Sequence, residues 1–125
     1  MTKTKKRPVH LDLRRIRLPI NAITSVGHRI SGVLMFFLIP FCIYLLDLSL
    51  SSPRGFSRAI AILDSLPVKG VLFIAIWGLV HHILAGLRCI AIDLDRGVEK
   101  PTFIRTAYAV LVAAPPVAFV VWVAL

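Results

Sequence analysis

Two pairs of residues in this sequence place metal-ligating or anion-holding groups where water should be scarce. His28 and Arg29 stand at the mouth of the uncharged run Val33 to Leu46, and His82 and Arg88 lie inside a second long apolar stretch. A cation carried into hydrocarbon costs roughly 2.5 to 3.5 kcal/mol on insertion scales, so such a group is expected to face an anionic or polar ligand opposite it. In a helix, Ser25, His28, Arg29 and Gly32 fall at i, i+3, i+4 and i+7 and share one face. His82, Gly86, Cys89 and Asp93, at i, i+4, i+7 and i+11, share another. A glycine one turn beyond a mid-span histidine leaves room for something flat and large to approach the backbone.

Neutral imidazole is a common metal ligand, and haem iron accepts histidine within helical bundles. The plainer reading of His82 is an interhelical hydrogen bond. A haem also needs cations near its propionates, and Arg29, Arg88 and His28 lie one or two turns from His82 toward one membrane surface. His81 points ~100° away on the helix and cannot share the same iron, so it is expected to be a packing residue with its hydrogen bonds satisfied. A second axial ligand has to come from elsewhere: His28 is the other intramembrane candidate in the chain, and a partner subunit is the simpler supply. The Ser25 hydroxyl and the Arg29 guanidinium are hydrogen-bond donors suited to an anionic or polar ligand opposite their face.

The elements that must position these groups are membrane spans. With 58% hydrophobic residues in 125, the chain is one domain and more apolar than the roughly 45 to 50% of soluble proteins. The net charge of +9 could suggest nucleic acid, but seven of the fifteen Lys and Arg crowd into residues 3 to 17 without interleaved aromatics. That pattern suits a cytoplasmic flank or a contact with anionic lipid, not a nucleic acid. Cys42 and Cys89 sit in apolar segments with no CxxC spacing, and read as free thiols.

The expected organisation is a basic leader over residues 1–24, lying at the headgroup boundary or docked on a partner. A three-span anchor then covers 25–125, with spans at about 26–46, 67–92 and 106–125. The first apolar run is too long for a signal peptide, and no small-residue cleavage site follows it. Pro40 is expected to bend the first span and Pro115-Pro116 to interrupt the third, while Phe56 to Leu63 suits a short amphipathic helix. Counting Lys and Arg on the flanks puts the N-terminus and the second loop inside. Arg29 and Arg88 then fall at the same, inner, level.

Arg7-Pro8, Leu13, Arg17-Leu18-Pro19, the block Ser25-x-x-His28-Arg29-x-Ser31-Gly32 and the block His82-x-x-x-Gly86-x-Arg88 with Asp93 together resemble the cytochrome b membrane anchor of succinate dehydrogenase, respiratory complex II. The resemblance covers nearly the whole chain. It implies an all-α membrane protein of three transmembrane helices, half of a heterodimeric haem-binding bundle formed with a second small three-span anchor. It also implies one haem b held between His82 and a histidine of that partner, with His28, Arg29 and Arg88 near the propionates. Ser25 and Arg29 match positions lining the ubiquinone site, next to the iron-sulfur subunit. Electrons would pass from succinate through a flavoprotein subunit and the iron-sulfur clusters to quinone, so the succinate-oxidising chemistry lies outside this chain. Relatives commonly carry histidine where this chain has Cys89, which weakens a haem contact there. The lack of a transit-type leader ahead of residue 7 favours the bacterial cytoplasmic membrane. The rivals are a fumarate reductase anchor, a non-redox membrane tether and a proton-pathway protein, the last lacking a carboxylate relay across the core.

Overall fold

The computed structural model describes residues 17–125. The leader expected over residues 1–24 therefore lies outside the described residues up to position 16. Its last five residues belong instead to the first helix, because Pro19, extended at φ −64° and ψ 152°, already offers its carbonyl to the amides of Ala22 and Ile23 at 2.9 and 3.2 Å. Among the described residues the architecture is all-helical, with four helices and no strand: α1 Ile20–Ser51, α2 Pro53–Asp64, α3 Leu66–Asp93 and α4 Lys100–Ala124. Three of them, α1, α3 and α4, are long and apolar enough to cross a membrane. All start before the expected spans, since the apolar run marks the hydrocarbon crossing while backbone hydrogen bonding continues into polar flanks.

Local chemistry sets each boundary. Ser49 and Ser51 donate their hydroxyls back to the carbonyls of Leu46 and Leu48 one turn earlier, both at 2.8 Å, at the end of α1. Ser52 breaks the helix in an extended conformation and caps α2, its Oγ accepting from the amide of Gly55 at 3.0 Å, with Pro53 in the first turn. Helix α3 ends in a Schellman motif: Asp95 takes the left-handed conformation (φ 55°), its amide bonds Ile92 and the amide of Arg96 bonds Ala91. Pro40 is accommodated inside α1. Pro115 and Pro116 do not interrupt α4, which runs through both; an open backbone break at this depth would leave polar groups without water.

Helix α3 packs extensively against both α1 and α4, which touch each other less. Ala107, Val110, Ala114 and Ala118 form one buried stripe on α4, and small side chains at this spacing let helices approach closely where lipid offers no hydrophobic drive. Trp122 donates Nε1–H to the carbonyl of Lys69 at 3.2 Å and sits edge-on to Phe73. The outward surface is apolar, with Phe36 and Phe37 among the most exposed side chains.

The turn between α1 and α2 leaves no space at Gly55, where a Cβ would collide with the carbonyl oxygen of Leu48 and the hydroxyl of Ser51. A Cβ on Gly78 would crowd only the movable tip of Leu34, at 2.9 Å, with Met35 Cε at an ordinary 3.5 Å. Gly55→Ala is therefore expected to destabilise the protein by about 1–3 kcal/mol, whereas Gly78→Ala is absorbed by a rotamer change. Thermal unfolding in detergent checks this, and equal midpoints for the two variants would contradict it.

Candidate functional site

His28 and Ser31 of α1 meet His82 of α3 where the two helices cross. His28 and His82 lie face to face, with ring centroids 4.2 Å apart and planes inclined by 22°. Both are half-buried. Gly32 permits the approach: a Cβ there would stand 3.1 Å from Cε1 of His82, whereas one on Gly86 would make an ordinary contact, 3.5 Å from Nε2 of His28.

His82 Nδ1 lies 3.1 Å from the carbonyl oxygen of His28 and 3.1 Å from Oγ of Ser31, and the Ser31 hydroxyl lies 2.8 Å from the same carbonyl. Ser31 is buried at 5% exposure. Sequence reasoning carried it only as part of a motif. Its place three residues after His28 was the available signal, since a helical serine often bonds the carbonyl one turn back.

Ser25 and Arg29 are both exposed on α1, as suits groups that meet something outside this chain. Arg88 is drawn inward. Its Nε donates to Thr106 Oγ1 at 3.0 Å, its Nη2 donates to Asn21 Oδ1 and to the Phe103 carbonyl at 2.9 Å each, and its guanidinium lies 4.6 Å from the Phe103 ring centroid. One side chain of α3 thereby ties α1 to α4, a use that spacing alone did not reveal.

His81 is buried at 8% exposure on another side of α3. The expectation that its hydrogen bonds are satisfied is not met: among the described residues Nε2 has no partner. The cause is Gly27, where a Cβ would stand 2.7 Å from that nitrogen. The ring presses on α1 backbone whose amides and carbonyls are already used within the helix. Cys42 and Cys89 are free and exposed. Among the described residues no three His, Cys, Asp or Glu side chains gather as a metal site.

Residues 3–124 match the family described as the succinate dehydrogenase/fumarate reductase transmembrane subunit. The chain is 35% identical over 113 residues to the succinate dehydrogenase cytochrome b556 subunit of Coxiella burnetii (strain RSA 493 / Nine Mile phase I), covering 87% of this chain and 88% of that one. It is 34% identical over 93 residues to the protein of the same name from Paracoccus denitrificans, covering 74% and 72%.

The Arg88 contacts generate a stability prediction. Arg88→Lys keeps the charge but cannot reach the same acceptors with a planar fork, and hydrogen bonds to a charged group are worth about 1.5–3 kcal/mol. A lower midpoint of thermal unfolding in detergent is expected. A variant as stable as the native protein would show that these contacts do not hold the bundle.

Proposed function

The chain belongs to the succinate dehydrogenase/fumarate reductase transmembrane subunit family, and from that premise we propose that it anchors succinate dehydrogenase in the membrane, binds haem b and forms part of the ubiquinone-reduction site. The observation that carries this reading is the stacked His28–His82 pair between two glycines. A half-buried imidazole with Nδ1 held by α1 suits a metal ligand that offers its other ring nitrogen to iron. The name cytochrome b556 on both relatives agrees with a haem of b type.

In this reading His82 would hold the haem iron from this chain, together with a histidine of a second three-span anchor. The haem when bound supplies a one-electron redox centre. His28 and Arg29 serve its propionates. Arg88 contributes there chiefly through its charge, because Nε and Nη2 are already bonded to Asn21, Phe103 and Thr106.

Quinone reduction takes up two electrons and two protons, and negative charge builds on the head-group oxygens as electrons arrive. Ser25 Oγ–H donates a hydrogen bond to one such oxygen, and Arg29 sets a permanent cation with several donors beside it. Their exposure on α1 leaves both accessible to a lipid-soluble substrate and to an iron-sulfur subunit docked on the membrane. A flavoprotein subunit is the remaining member of the assembly. The excess of basic residues ahead of α1 supports an N-terminus inside, in a bacterial cytoplasmic membrane.

Two experiments test this function. Arg29→Ala is expected to lower succinate:quinone reductase activity by about a hundredfold, the cost of removing one donor aimed at developing charge, while succinate oxidation with an artificial dye persists. Equal loss in both assays, or in neither, removes the quinone role. His82→Ala is expected to abolish the b-type absorption bands of the dithionite-reduced complex, and an intact spectrum would dismiss His82 as ligand.

A further inference from the structure

The contacts of His82 Nδ1 contain more than proximity. A carbonyl oxygen accepts hydrogen bonds and never donates, so the approach of Nδ1 to within 3.1 Å of the His28 carbonyl requires the proton to be on Nδ1. The Ser31 hydroxyl is governed by the same carbonyl: at 2.8 Å its proton points to His28, which turns an Oγ lone pair toward Nδ1 at 3.1 Å. All three distances are met together only if Nδ1–H is shared between Oγ and the carbonyl. In the neutral ring Nε2 then carries the lone pair.

We infer that Ser31 is a positioning residue for the haem ligand: with the His28 carbonyl, it holds His82 in the Nδ1–H tautomer and so presents Nε2 to the iron. Gly32 is part of the device, since a side chain there would stand 3.1 Å from Cε1 and push the ring off its two acceptors. Acceptors on the far nitrogen of a ligating histidine fix its orientation and raise its basicity. A more basic ligand stabilises ferric over ferrous iron, so the Ser31 contact lowers the haem's midpoint potential. Burial of Ser31 at 5% exposure keeps water from substituting for its hydroxyl.

This inference rests on His82 as the iron ligand, and the two fail separately. A native complex without b-type bands, or a His82→Ala complex that retains them, removes the ligand assignment itself. With the assignment intact, redox titration of the haem in the whole complex tests Ser31. Ser31→Ala, which deletes one of two acceptors, is expected to shift the midpoint upward and to alter the g-values of the ferric haem in electron paramagnetic resonance. Ser31→Thr, which restores the hydroxyl, is expected to return both toward native values. Haem lost from the alanine variant and kept by the threonine variant counts the same way. A midpoint unchanged or lowered in Ser31→Ala, or haem lost from both variants, overturns the proposal.

Discussion

A polar group inside hydrocarbon has no water to fall back on, and this constraint orders the structure. Each imidazole, hydroxyl and guanidinium carried into the bundle either finds a partner, in the protein or in a ligand or another subunit, or stands unpaired at a cost. The described residues show each outcome. Arg88 spends its donors inside the chain, on Asn21, Phe103 and Thr106. His82 spends one ring nitrogen on α1. His81 has no partner for Nε2 among the described residues and is tolerated where Gly27 lets the ring seat against the helix.

Close approach of α1 and α3 makes these partnerships available. Gly27 and Gly32 on α1 and Gly86 on α3 each stand opposite a histidine of the other helix. His81 and His82 are thus accommodated by absent side chains at Gly27 and Gly32 rather than by gaps between helices. On the other flank of α3, the alanine stripe of α4 achieves close packing with methyl groups alone. One side of α1 and α3 is therefore specialised for polar chemistry and the contact with α4 for holding the bundle together.

The division of labour along α1 follows from the same geometry. Thr24 and Ser31 face inward and are buried, while Ser25 and Arg29, each beside or near one of them in sequence, face outward. Thr24 bonds the Ala107 carbonyl of α4 at 3.4 Å, and in the proposed function Ser31 organises the haem ligand while the outward residues meet the quinone. Helical periodicity alone separates the two tasks.

Much of this was legible in the amino-acid order. Three spans follow from long uncharged runs, because the cost of charge in hydrocarbon is paid residue by residue and needs no knowledge of packing. The Ser31-Gly32 motif, the two histidines of interest and the arginines were likewise visible as anomalies within those runs. The sequence could not assign a partner to each group. The contacts of His82 with Ser31 and the His28 carbonyl span 51 and 54 positions, and the Arg88–Asn21 bond spans 67. Such pairings depend on the register and rotation of α1 against α3, which glycine contacts and the packing of α4 decide together, and so the tertiary structure alone determines which nitrogen of His82 is tied down and which is left for a ligand.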